Sequence, residues 1–254
     1  MLDTSANNKR IAKNTLMLYF RMVLLLVISL YTSRVILREL GVDDYGVYNV
    51  VGGIIVILSF LNQAMASGTQ RFLNVEMGKN DQKAVNKVFA TSQQIHFGVS
   101  FCMFIIAETV GLWFLNNYMN IPEGRLGAAN WVYQFSIISA IFGVFTVPYN
   151  ATIISHEKMS AFAYISIVEA VLKLLVAFAI IWAPYDKLII YAALIMLVSM
   201  INCVVYVNYG IKNFEECRHF TLKRNKLMMK QMLSFSGWTV FGNLGYILHT
   251  QGIA

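Results

Sequence analysis

The 254-residue chain is 57% hydrophobic and only 13% charged, with a mean hydropathy of +0.59. A soluble domain carries about a quarter charged residues, so a water-soluble globular protein is excluded and most of this surface is matched to lipid. The net charge of +7 is not a nucleic-acid footprint, because the basic residues are spread over short loops instead of gathered on one face.

A helix crossing the membrane needs about 20 mostly apolar residues. Residues 1–15 form a basic cytoplasmic N-terminus with Lys9, Arg10 and Lys13. No short apolar region with a cleavage site follows, so the first span is expected to stay as an uncleaved anchor. Six spans are predicted, at 16–37, 47–66, 97–114, 131–154, 162–183 and 188–209; the second, fourth and sixth contain no Asp, Glu, Lys or Arg. Pro148 in the fourth removes a backbone hydrogen bond and kinks its helix. Gly52, Gly53 and Gly68 are expected to allow close helix contact. Residues 210–231 read as a basic amphipathic connector on the cytoplasmic face, lying on anionic headgroups. Residues 232–254 open a seventh, uncharged helix that the chain ends within. The expected class is all-α: a polytopic membrane protein with a six-helix transmembrane lobe over 16–209 and the start of a seventh helix.

With the N-terminus in the cytoplasm, fourteen of the twenty Lys and Arg fall on the cytoplasmic side. Only Arg34, Arg38, Arg125 and Lys187 lie on the outer side, and Arg21 and Lys173 lie inside spans. The positive-inside rule selects that orientation. Cys102, Cys203 and Cys217 are scattered and make neither a disulfide framework nor a metal pair, and the four histidines are equally dispersed. No hydrolase, phosphate-loop or zinc motif is present, so no catalytic site and no cofactor are expected.

Charge inside the membrane is what remains to be explained. Arg21 sits about a quarter of the way into the first span, where an arginine either snorkels to the surface or faces a cavity and meets an anion. Arg34 and Arg38 share a helix face and repel unless an anion lies between them. Their guanidinium forks suit a pyrophosphate, whereas Glu39, Asp43 and Asp44 offer local neutralisation. Glu169 and Lys173, four residues apart, either neutralise each other for insertion or form a switchable pair lining a cavity. Glu108 is the lone acid of the third span. It is expected to pair with Arg21, Arg34 or Lys173, or to couple protons.

Residues 32–49 carry the pattern LG-x-x-x-YG-x-Y (Leu40, Gly41, Tyr45, Gly46, Tyr48). Gly68-Thr69-Gln70-Arg71-Phe72 follows the second span, then Pro148-Tyr149-Asn150-Ala151, His156-Glu157-Lys158-Met159 and the run from Tyr164 to Ala170. In this order the chain resembles bacterial polysaccharide flippases of the multidrug/oligosaccharidyl-lipid/polysaccharide exporter superfamily, the lipopolysaccharide biosynthesis type included. The resemblance implies a MATE-like two-lobe fold around a central cationic cavity, of which this chain supplies the N-terminal lobe and lacks the C-terminal one. It further implies transfer of an undecaprenyl-pyrophosphate-linked oligosaccharide (an O-antigen or capsule unit) between leaflets of the bacterial inner membrane. The expected partners are that lipid-linked oligosaccharide, the bilayer and the missing lobe, with no nucleic acid. Arg21, Arg34, Arg38, Glu108, Glu169 and Lys173 are the candidate cavity residues. Two alternatives stand beside it: a small-molecule exporter coupled to H+ or Na+ through Glu108 or Glu169, and a remnant lobe that transports nothing.

Overall fold

The computed structural model describes residues 4–122, 124–218 and 225–251, with side chains described outside 4–7, 9–11, 54–61 and 243–251. Those residues form helices and no strand, as the apolar runs require. The first helical stretch, Thr4–Gly78, changes course at Gly41, where φ is 78° and ψ is 172°. A side chain is disfavoured at such a φ. Among the described residues nothing lies within 4 Å of where a Cβ would sit, so backbone conformation, not space, demands the glycine. The two limbs are α1 (residues 4–40) and α2 (residues 42–78). The first two predicted spans therefore meet at a single residue. Arg38, Glu39, Asp43 and Asp44 stay helical because charge at a membrane surface does not break a helix, whereas glycine does.

Asp81 caps α3 (Gln82–Tyr118) by accepting the Ala84 N–H at 3.1 Å. A wide π-type turn at Ala107–Gly111 interrupts α3. The buried Tyr133 hydroxyl donates to the Ala107 carbonyl there at 2.8 Å, and a Cβ on Gly111 would lie 1.9 Å from that hydroxyl. The remaining helices are α4 (Leu126–Ser155), α5 (Met159–Trp182), α6 (Lys187–Asn213) and α7 (Lys226–Gln251). The connector expected over 210–231 thus shares its first and last residues with α6 and α7.

The centre of the bundle is α4, which packs on α6, on α3 and on the α1–α2 pair. One apolar cluster joins Val51 of α2, Leu115 of α3, Val132 of α4 and Leu188 of α6. A second joins Leu73, Phe89, Ile153, Tyr206 and Met232 at the other end, and a third fixes α1 through Val35 and Ile36 against Ala177, Ile180 and Tyr191. Lipid is as apolar as leucine, so packing and polar contacts, not burial, hold such helices together. Accordingly Leu16, Phe20, Val23, Val27 and Leu30 of α1 stay more than half exposed. Gly68 lets α2 approach α7 closely, since a Cβ there would meet Ser236 Oγ at 2.6 Å. Gly52 and Gly53 do not serve close packing: both face open space and border a cavity.

Polar clusters tie the two ends. At one, Arg125 ahead of α4 donates from Nε to Asp44 at 2.7 Å and from Nη1 to Asp186 at 2.6 Å, and from Nη2 to both carboxylates. Asp186 also caps α6, accepting the Leu188 N–H at 3.0 Å. Burial alone would raise the Asp186 carboxyl, but Arg125 and the cap N–H groups outweigh it and hold it below the ordinary value of 3.8. At the opposite end Glu216, only 2% exposed, meets His156 Nε2 at 2.6 Å and Gln82 Nε2 at 3.4 Å, while His156 stacks on Phe214. Burial pushes the Glu216 carboxyl up; the hydrogen bonds from His156 and Gln82 prevail and leave it below 4.5.

Candidate functional site

A cavity of about 380 Å³ lies between α1, α5 and α6. On α1 it is bordered by Arg21, Leu25, Ile28, Ser29, Thr32, Ser33 and Ile36, a stripe at three- and four-residue spacing that puts these side chains on one helix face. Opposite stand Ser166, Glu169, Ala170 and Lys173 of α5 and Tyr191 of α6. The same face that fixes α1 to the bundle lower down, through Ile36, thus becomes polar at Ser29 and cationic at Arg21.

Three of the six predicted site residues meet here. Lys173 Nζ donates to Glu169 Oε1 at 2.6 Å, closing the predicted i,i+4 pair. Asn202 Nδ2 of α6 donates to the other carboxylate oxygen at 3.0 Å. Arg21 lies with its guanidinium carbon 4.3 Å from the centre of the Phe162 ring, a cation–π contact that gains strength out of water. Its Nε is buried without a hydrogen-bond partner among the described residues. The buried Tyr206 stands within electrostatic reach of Arg21 and Glu169. Two cations face one carboxylate, so the cavity carries a net positive charge when Glu169 is ionised, and it offers donors to an anion.

Arg34, Arg38 and Glu108 lie elsewhere. Arg34 is exposed on α1 outside the cavity. Arg38, its side chain 74% exposed, donates from Nε and Nη2 to Glu39 at 3.0 and 2.9 Å, and Lys187 holds the other Glu39 oxygen at 3.1 Å. Asp44, weighed as a neutraliser of these arginines, is engaged by Arg125 instead. Glu108 lies on the π-type turn of α3, facing α4. Gln134 Nε2 donates to its Oε2 at 3.3 Å, and its Oε1 is buried with no partner among the described residues.

Sequence reasoning missed Phe162, Asn202 and Tyr206. An aromatic residue such as Phe162 or Tyr206 in an apolar run carries no charge that would flag it. For Asn202 a signal exists: an amide inside an otherwise apolar span needs a partner. The Arg125 clamp was also missed, its three members being distant in sequence.

As a whole the chain superposes on the crystal structure of a MATE mutant with a TM-score of 0.76 and 12% sequence identity, over 93% of this chain and 53% of that one. The likeness is one of fold. With helices long and apolar enough to cross a bilayer, the chain is a multi-pass α-helical membrane protein with a MATE-like fold, spanning about half the length of that structure. No family model matches the chain, and no curated protein matches it by sequence.

Proposed function

We propose that the chain is the N-terminal lobe of a membrane transporter that moves an undecaprenyl-pyrophosphate-linked oligosaccharide, an O-antigen or capsule repeat unit, from the inner to the outer leaflet by alternating access. The observation that carries this reading is the net cationic cavity, with Arg21 and Lys173 facing a single carboxylate and Arg21 Nε lacking a partner. A guanidinium grips phosphate oxygens through two parallel N–H groups. An anion drawn to Arg21 competes with Glu169 for Lys173, and Glu169 then falls back on Asn202. The pair becomes a switch between empty and loaded states. The membrane is the bacterial inner membrane, and the N-terminus together with the His156 end faces the cytoplasm, as the distribution of Lys and Arg favours.

A second reading draws on the same carboxylate. Glu169, with Asn202 as a neighbouring oxygen-bearing side chain, would take H+ or Na+ once Lys173 leaves, and the protein would be a cation-coupled small-molecule exporter.

The test is Arg21→Ala, with Arg21→Lys beside it, in cells that depend on the protein for surface polysaccharide. A hydrogen bond to a charged group contributes about 1.5–3 kcal/mol, so export should fall roughly tenfold or more at unchanged protein level, with partial recovery for lysine. Unchanged export would refute the flippase reading. Proton- or sodium-driven dye efflux that survives the loss of Arg21 would establish the exporter instead. Normal insertion with no translocation in vesicles would mark a lobe that does not transport.

A further inference from the structure

A second, larger cavity of about 660 Å³ lies between α3, α4 and α6, away from the cationic one. Phe97, Phe142, Phe145, Pro148, Tyr149 and Val207 give it an apolar lining, and among the described residues no charged one borders it. Phe97, 65% exposed, carries it to the apolar surface of the bundle, and its ring stands 6.3 Å from that of Phe145. The size falls in the range of drug-sized ligand sites, which are mostly apolar with a few polar groups that fix orientation.

Polar groups on its lining are Gln93, Gln94, His96, the Tyr149 hydroxyl and Cys203, and two of them, His96 and Gln93, bear on what it can bind. His96 is 1% exposed. Its Nδ1 lies 2.7 Å from the Ser92 carbonyl, which can only accept, so the ring proton sits on Nδ1 and Nε2 is left as an acceptor. Nε2 is buried with no partner among the described residues. Gln93 donates through Nε2 to the Tyr149 hydroxyl at 2.8 Å, and its Oε1 is likewise buried and unpartnered. Two acceptors on residues lining one apolar cavity, both lacking a donor, are costly to leave so.

We propose that this cavity is a binding site for an uncharged, membrane-soluble molecule with an aromatic or alicyclic body and one hydroxyl group, which donates to His96 Nε2. A saturated acyl chain has no donor to offer, and an anion or cation finds no counter-charge. The body packs among Phe97, Phe142 and Phe145, and entry is from the bilayer. The site is independent of the transport reading.

The experiment uses the full chain in lipid nanodiscs with a photoreactive probe, 4-(trifluoromethyl-diazirinyl)benzyl alcohol, and its toluene analogue that lacks the hydroxyl. Irradiation followed by peptide mapping should place the alcohol's label on segments carrying Phe97, Phe142, Phe145 and Tyr149. 1-Naphthol should compete about three- to tenfold better than 1-methylnaphthalene, the factor expected of one neutral hydrogen bond. His96→Phe should abolish that difference and His96→Gln, which keeps an acceptor, should restore part of it. Val207→Trp, which fills the cavity from α6 and leaves His96 in place, should remove the label altogether. Uniform labelling of the apolar surface, or equal competition by naphthol and methylnaphthalene in the unaltered protein, would overturn the proposal, whether or not the variants insert.

Discussion

Replacing Arg125 by alanine strands two carboxylates, Asp44 and Asp186, that its guanidinium joins through four hydrogen bonds. Removing one partner of a buried ion pair costs about 3–5 kcal/mol. The three side chains are 28%, 20% and 29% exposed, so solvent screens part of this, and about 2–3 kcal/mol remains. Asp186 keeps its cap on α6 and limits the damage there. The assay is unfolding of the full chain in mixed micelles by titration with a denaturing detergent, followed by tryptophan fluorescence. A cycle with Asp44→Asn should show coupling of about 1 kcal/mol or more, as residues in one network do. Arg125→Lys should recover less than half, because an ammonium cannot span two carboxylates with a fork. The pH dependence has a definite sign. A carboxyl held below 3.8 in the folded state contributes stability above that value and loses it as pH falls through the folded pKa. The acid slope should therefore be shallower in Arg125→Ala. Equal stability of variant and parent, or strict additivity with Asp44→Asn, would refute the clamp.

At the opposite end Glu216→Gln should flatten the loss of stability of the parent below about pH 4.5, since the Glu216 carboxyl is held below that value when folded; thermal unfolding from pH 3 to pH 7 reads it. Gly111→Ala brings a Cβ to 1.9 Å from the Tyr133 hydroxyl and should cost about 1–3 kcal/mol by overpacking. Adding Tyr133→Phe should recover part of it, measured by thermal stability in micelles. In the cationic cavity, Lys173→Met or Glu169→Gln alone should lower the yield of folded protein more than the two together, because each single change leaves a charge unpaired in the membrane. Fluorescence-detected size exclusion of all three variants decides it.

Several parts of the structure were legible before any fold was known. Arg21, Glu169 and Lys173 stood out because each violates an apolar run, and the Glu169–Lys173 contact follows from four-residue helical spacing alone. That they share a cavity with the Ser29–Thr32 stripe of α1 was not readable, since it depends on how α1 leans on α5 and α6. Arg34 and Arg38 carry the same charge on the same helix, yet they lie beyond the cavity, on the exposed side of α1. Glu108 faces Gln134 and none of the cations it was weighed against. Gly41 showed itself within the LG-x-x-x-YG-x-Y pattern, but only the backbone reveals that the helix changes course at that residue.

The division has a physical basis. Transfer from water to lipid is close to a sum over residues along a helix, so membrane residence, the helical class and the alternation of the loops follow from the order of amino acids. Which charge meets which partner is set by the crossing of packed helices, where a rotation of one residue, 100°, moves a side chain from cavity to lipid. Arg21 and Ser33 fall on the cavity side of that rotation and Arg34 does not. The sequence by itself determined that charges had to be accommodated in the membrane; the tertiary structure decided that Arg21 would join Glu169 and Lys173, and that Arg125 would close the other end.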